Sequence, residues 1–275
     1  MPEGDTLFRT ARTLDRALRG KEVVRFETVL AQLARVDDDA PIAGRTVESV
    51  RSLGKHLLLE LSGDLVLRTH MRMNGSWHIY RPGERWRRPR AAMRVVLETA
   101  DFQAVAFDVP VAEFSTRRAL ARDRTVATLG PDLLSAAFDA DEAVRRLRER
   151  NPQVIGEALL DQRALAGIGN VYKNEACFVA GVHPFRSVAS LEDAALRRLV
   201  LTAQQLLAGA AGAEQRFAEG ALRRTVRTSY PEARLWVYRR GGAPCRKCAT
   251  PIVREVRGLE GRSTYFCPVC QPMPG

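Results

Sequence analysis

Apolar residues recur at helical spacing through Leu7, Ala11, Leu14 and Leu18, with Asp5 placed to cap the run and Gly20 to stop it. The spacing predicts a helix almost at the N-terminus, which holds the first residues beside a folded element. Short β-rich runs follow at residues 23–29, 55–61, 65–71, 94–99 and 102–109, and the breaks Ser62-Gly63-Asp64 and Ala100-Asp101 read as hairpin turns. Residues up to about 130 are therefore expected to form an antiparallel sandwich or barrel. From Asp139 the pattern becomes helical, with segments expected at 139–150, 154–160, 170–180 and 191–209. Residues 213–234 mix Gly, Arg, Ser and Pro without a period and read as a flexible loop leading into a cysteine-rich end. The fold expected is α+β and multidomain. An N-terminal antiparallel β-sandwich with its helix (1–130) precedes a helical domain with the loop (131–234) and a cysteine hairpin (235–275).

Composition narrows the partner. The 275 residues, 45% of them hydrophobic, can bury two modest cores, and 43 Lys and Arg against 32 Asp and Glu give a formal charge of +11. Such a surface attracts a polyanion, and nucleic acid leads. An anionic membrane could use the same charge, but no apolar run approaches the roughly 20 residues that span a bilayer. The start Met-Pro-Glu-Gly-Asp lacks the basic-then-apolar order of a secretion signal, so a soluble cytoplasmic protein is expected. The basic run Arg85-Trp86-Arg87-Arg88-Pro89-Arg90 reads as a solvated loop, with phosphate contact as its alternative.

Four of the five cysteines fall in the last 31 residues, a distribution that suits metal rather than a disulfide framework. Cys245-Arg246-Lys247-Cys248 and Cys267-Pro268-Val269-Cys270, 18 residues apart, match two knuckles closing one tetrahedral site. Four thiolates leave no open position for water, so one structural zinc is expected. It would hold the hairpin 252–266, with Arg254, Arg257 and Arg262, on a segment too short to fold alone. Cys177, in an apolar helical stretch, reads as a small core residue.

Two further features carry chemistry. Leu165-Ala166-Gly167-Ile168-Gly169-Asn170 is a glycine-rich turn opening a helix, where backbone N–H groups and the Asn170 amide suit a phosphate, although a plain tight turn explains it as well. Pro2 and Glu3 follow a removable Met1. Alone they read as an accessible chain start. A free prolyl amine, however, is a secondary amine that is substantially neutral near pH 8, going by α-amino reference values, and can attack a sugar C1′ to form an iminium.

Pro2-Glu3-Gly4-Asp5-Thr6, Gly54-Lys55-His56, the segment 159–175 and Gly261-Arg262-Ser263-Thr264-Tyr265-Phe266-Cys267-Pro268-Val269-Cys270 occur in one order. In that order they resemble the endonuclease VIII and formamidopyrimidine-DNA glycosylase family of bacterial DNA repair. The likeness covers nearly the whole chain. It implies a helix-two-turn-helix module at about 155–180, a zinc-ribbon finger at 241–271, and a bifunctional DNA glycosylase and abasic-site lyase acting in base excision repair. By resemblance Pro2 is the nucleophile and Glu3 the acid that protonates the deoxyribose ring oxygen. Lys55, at the start of a strand, contacts the lesion phosphate and assists acid–base steps, with an ordinary exposed strand lysine as the alternative. Asn170 and Arg262 clamp phosphates with it, and Arg262 assists the final elimination. Glu175 corresponds to a carboxylate beside the pocket, a place a helix salt bridge would explain equally. Arg72-Met73-Asn74, read as a hairpin end, stands where family members place side chains that fill the void left by the extruded nucleotide, with core packing as the alternative for Met73.

The start Pro-Glu-Gly-Asp-Thr is closest to the actinobacterial-type endonuclease VIII branch. The purine branch's Asp-Pro-Arg-Arg-Phe-Gly is replaced by Phe107-Asp108-Val109-Pro110-Val111-Ala112. Oxidised pyrimidines are thus the expected lesions, ahead of oxidised purines. The partner expected is damaged double-stranded DNA, with single-stranded DNA as a second form, bound by a monomer associated with the nucleoid. A non-catalytic damaged-DNA-binding protein is the competing class. A zinc-ribbon RNA or ribosome-associated protein would leave the N-terminal residues unexplained.

Overall fold

A computed structural model of the protein describes residues 2–150, 153–212, 224–226, 234–257 and 261–273. The chain divides into two units, Met1–Thr128 and Leu129–Gly275.

In the first unit α1 (Gly4–Leu18) buries Leu7, Ala11, Leu14 and Leu18, the stripe set by the helical spacing. There follow β1 (Arg25–Thr28), α2 (Ala31–Asp39), β2 (Val47–Leu53), β3 (His56–Leu61), β4 (Leu65–His70), β5 (Ser76–Tyr80), β6 (Met93–Glu98), β7 (Gln103–Phe107) and β8 (Val111–Thr116). The strands make two four-stranded sheets, ordered β1-β6-β7-β5 and β2-β3-β4-β8, with every neighbouring pair antiparallel. Leu57, Leu59, Leu61 and Leu67 of one sheet share a core with Val95, Leu97, Ala104 and Ala106 of the other and with α1. On the opposite face of β3, Leu58 packs with Val66 and with Leu120 of α3 (Arg117–Arg122), which the short α4 (Arg124–Ala127) follows. A strand covered on both faces needs no polar alternation, hence the unbroken leucine run.

Several features differ from the sequence expectation. α2, β2, β5 and β8 were not anticipated. β2 exposes or half-exposes all but Val47 and Val50, and a register shift between Val47 and Ser49 breaks its alternation. Lys55 does not begin a strand: it is the second residue of the tight turn Gly54-Lys55, since Leu53 pairs with His56. Gly54, at φ 56°, supplies the positive angle that a two-residue hairpin turn requires. Residues 72–74 are not a hairpin end either, because β4 and β5 lie in different sheets and the segment crosses between them.

The second unit holds α5 (Ala140–Arg148), α6 (Ile155–Ala158), α7 (Asn170–Ala180) and α8 (Asp193–Gly212), then the hairpin of β9 (Val253–Arg257) and β10 (Arg262–Phe266). Asp139 caps α5 by accepting from the N–H groups of Asp141 and Glu142. α6 is one turn rather than the expected 154–160. Just beyond it, the Asp161 carboxylate accepts the Arg163 N–H at 2.9 Å, a local turn that competes with helix. Leu147, Ile155, Leu165, Tyr172, Leu199 and Leu207 build the core, with Cys177 among them. Complete burial pushes the Cys177 thiol up to about 12, which makes it an inert packing group. Apart from 224–226 and 234, the loop expected at 213–234 lies outside the described residues.

Candidate active site

Glu3 is the N-cap of α1, and its main-chain oxygen accepts from Thr6 N–H at 2.9 Å and Leu7 N–H at 3.1 Å. Its side chain makes no capping bond and is fully buried. The helix is pinned along β2 at two levels. The Asp15 carboxylate accepts the Val50 N–H at 2.7 Å, and Gly20 N–H donates to Val47 O at 2.8 Å. Helix and strand therefore run in opposite directions. From the Asp15–Val50 level the helix rises about 18 Å to Glu3, and the strand advances about 13 Å toward Gly54. Pro2, Glu3 and the Lys55 turn thus come to one end of the unit.

At that end His56 and His70 are cross-strand partners on β3 and β4, their rings edge-to-face with centroids 5.0 Å apart. Burial, aided by the charges of His70 and Arg68, drives His56 down to about 3. Burial and the neighbouring Lys55 and Arg72 cations lower His70 as well. Both rings are thus neutral near pH 7. From sequence His56 was singled out only within the Gly54-Lys55-His56 motif and His70 not at all, yet a signal for their pairing existed. If Leu61 and Leu65 flank the β3–β4 turn, antiparallel counting pairs 56 with 70.

His70 leads into the crossover. Its Nδ1 accepts the Arg72 N–H at 3.0 Å, and Arg72 adopts φ 45°. Met73 is 62% exposed, which removes core packing as its explanation.

In the second unit α7 is stitched to β10 by one helix face. The Asn170 Nδ2 donates to Ser263 O at 3.0 Å, the Lys173 Nζ to Thr264 Oγ1 at 2.8 Å, and the Asn174 Oδ1 accepts the Tyr265 N–H at 2.6 Å. Positions i, i+3 and i+4 of the helix meet consecutive residues of the strand. Arg262 is the strand residue next to the first of these contacts. Of the other hairpin arginines, Arg254 donates to Ser263 Oγ and Arg257 stacks on Phe185 at 4.4 Å. Asn174 and Lys173 were missed from sequence, although polar residues at this spacing within a buried helix are a signal.

Glu175 is fully buried and makes no helix salt bridge. Its carboxylate accepts from the N–H groups of Trp236, Val237 and Tyr238 at 2.8, 2.9 and 2.9 Å and from the Thr225 hydroxyl. It therefore anchors the strap that enters the cysteine hairpin.

The Sγ atoms of Cys245, Cys248, Cys267 and Cys270 all lie within 4.8 Å of one another, with the nearest pairs at 3.4, 3.5 and 3.8 Å. These separations exceed a disulfide bond and bracket the edge of about 3.8 Å that zinc–sulfur bonds of about 2.3 Å give a tetrahedron. The four thiols fit one structural zinc. Gln271 ties the site to α7's end, accepting the Cys267 N–H at 3.0 Å and donating to Val182 O at 2.8 Å.

The N-terminal domain of formamidopyrimidine-DNA glycosylase matches residues 1–110, its H2TH domain residues 129–218, and a zinc finger found in FPG and IleRS residues 242–272. A probable endonuclease 8 2 of Streptomyces coelicolor is 41% identical, covering 100% of this chain and 97% of its own. DNA-(apurinic or apyrimidinic site) lyase Nei2 of Mycolicibacterium smegmatis is 40% identical over 98% of this chain and 99% of that protein. A formamidopyrimidine-DNA glycosylase of Heliobacterium modesticaldum is 34% identical over 98% and 100%. Among solved structures, Lactococcus lactis Fpg in complex with N7-benzyl-Fapy-dG-containing DNA superimposes with a TM-score of 0.82 at 24% identity, covering 99% of this chain and 100% of that one, a likeness of fold. Fold and sequence together define a DNA glycosylase with abasic-site lyase activity, an enzyme of base excision repair. The chain belongs to the formamidopyrimidine-DNA glycosylase and endonuclease VIII family, on its endonuclease VIII side.

Proposed function

We propose that the enzyme removes oxidised pyrimidines from damaged duplex DNA through a Schiff base at Pro2 and then cuts the strand by β,δ-elimination. The observation that carries this reading is the convergence of Pro2, Glu3 and Lys55 at one end of the first unit, produced by the antiparallel pinning of α1 on β2. With Met1 removed, the Pro2 nitrogen attacks C1′ as the C1′–base bond breaks, and the base departs with a proton. Glu3 protonates the ring oxygen, and the opened sugar is held as an iminium. That cation accepts the electron pair left when a C2′ proton is lost, and the enamine so formed expels the 3′ phosphate. Loss of a C4′ proton into the resulting unsaturated iminium then expels the 5′ phosphate, and water releases Pro2. In the first unit Lys55 contacts a backbone phosphate and Met73 fills the space that the extruded nucleotide vacates; in the second unit Asn170 and Arg262 contact phosphates.

The lesion assignment is supported by the turn that replaces the purine branch's motif. Asp108 is folded back at φ 49° with its carboxylate on Arg88, and Val109 is fully buried, so no arginine or aromatic side chain projects from residues 108–110. Duplexes carrying thymine glycol or 5-hydroxyuracil should be processed faster than 8-oxoguanine opposite cytosine. A clear rate advantage for 8-oxoguanine would place the enzyme with the oxidised-purine glycosylases. Glu3→Gln should lose base excision while keeping more activity on a preformed abasic site, whereas equal loss on both would reject the acid role. Absence of turnover on every lesion, with binding intact, would favour the non-catalytic damaged-DNA binder.

A further inference from the structure

We propose that Arg88 is a positioning residue for the Arg72-Met73-Asn74 crossover, an inference that rests on reading that crossover as the wedge that enters the duplex. An exposed methionine is useful as a wedge only if its backbone is fixed before DNA arrives, since ordering a loose segment on binding subtracts from affinity. The entry side is fixed by His70, which accepts the Arg72 N–H. The backbone then doubles back so tightly that a Cβ on Gly75 would lie 2.6 Å from Met71 O, and Gly75 N–H donates to that oxygen at 2.9 Å. On the exit side the fixing group is a side chain from the basic run.

Arg88 Nη1 donates to Ser76 Oγ at 3.1 Å and, in a longer contact, to Asn74 O at 3.4 Å, so it spans the residues on either side of Gly75. Its Nη2 donates to Asp108 Oδ2 at 2.6 Å. Asp108 is itself held, with its N–H on Ala92 O at 2.7 Å and its other oxygen 3.7 Å from Arg94. The guanidinium lies 5.9 Å from the Phe107 ring centroid. Arg88 is thus no solvated loop residue. It links the wedge to the Asp108 turn. The planar fork is what lets one residue engage a carboxylate, a hydroxyl and a carbonyl together.

The wedge matters only where a helix must be held open, so an oligonucleotide with one abasic site is cleaved both as a single strand and annealed to its complement. Arg88→Met keeps the apolar stem and removes the donors; it should lower the duplex-to-single-strand rate ratio about tenfold, the scale of one lost charged hydrogen-bonded link. Arg88→Lys should restore part of the ratio. Asp108→Asn, which tolerates the same left-handed backbone, should lower the ratio too, and the double variant Arg88→Met, Asp108→Asn should be no worse than Arg88→Met. Zinc content and thermal midpoint establish that each variant is folded. Met73→Ala separates the two levels of the argument. If it lowers the ratio and Arg88→Met does not, or if Arg88→Met slows both substrates equally, the positioning role is wrong. If Met73→Ala leaves the ratio at the wild-type value, the wedge reading fails and the inference falls with it.

Discussion

The side-chain amide of Asn170 donates to the main-chain oxygen of Ser263 at 3.0 Å, joining the first residue of α7 to the strand residue that follows Arg262, 93 positions later in the chain. Together with Lys173 and Asn174, it makes the direction of Arg262 a property of the helical domain as well as of the metal hairpin.

Asn174→Ala tests that seat. It leaves the Tyr265 N–H, otherwise bonded at 2.6 Å, without an acceptor in a buried place, which costs about 1–3 kcal/mol. We expect a lower denaturation midpoint and faster hydrogen exchange at the Tyr265 amide, with zinc retained. Unchanged exchange there would show that the hairpin is seated by other contacts.

Metal loss and loss of the phosphate contact should be separable. Cys267→Ser removes one ligand and should lose zinc and the order of the hairpin. Arg262→Ala keeps all four thiolates and should bind DNA more weakly, with a salt dependence shallower by about one phosphate contact. Zinc content and binding at several salt concentrations are the measurements. Full binding and cleavage by metal-free protein would remove the hairpin from the mechanism, while an unchanged salt slope in Arg262→Ala would remove only that residue.

The histidine pair should appear in the pH dependence of stability. His56 titrates near 6.5 when unfolded but is held to about 3 in the native state, chiefly by burial. Between those values the unfolded chain binds a proton that the folded one does not, so stability is greatest above pH 6.5 and falls as the pH drops. From pH 7 to pH 5 this one group removes about 2 kcal/mol. His56→Phe should flatten that part of a urea-denaturation profile, leaving the smaller fall due to His70. An unaltered slope would show that His56 is protonated in the folded state.

Much of this was legible because it is local. The Leu7 to Leu18 stripe, the leucine-rich β3 and the two Cys-x-x-Cys knuckles each carry their own period or spacing, and those parts were readable directly. What was missed depends on distant partners. β2 is a strand because β3 pairs with it and α1 lies along it, not because its residues alternate. Arg88 looks solvated in a run of arginines until the chain returns with Asp108 20 residues later. Glu175 could not be told from a helix ion pair, because its partners are main-chain groups 61 to 63 residues away. Pro2, Glu3, Lys55, Asn170 and Arg262 were named as candidates from residue type and motif alone. The side chains that accept main-chain N–H groups nearby, His70 from Arg72, Asn174 from Tyr265 and Gln271 from Cys267, were not, since support roles are set by geometry.

The central claim is that the N-terminal amine of Pro2 forms the covalent intermediate, and borohydride trapping tests it most directly. Only an imine-type adduct is reduced to a stable amine. Processed wild-type protein incubated with lesion-bearing duplex and borohydride should give a covalent protein–DNA species whose cross-linked peptide begins at Pro2. Protein retaining Met1, and Pro2→Ala protein that still binds DNA, should lose normal trapping and cleavage. If Pro2→Ala is trapped and cleaves as efficiently as wild type, or if the cross-link maps to a lysine in the wild-type protein, the nucleophile lies elsewhere.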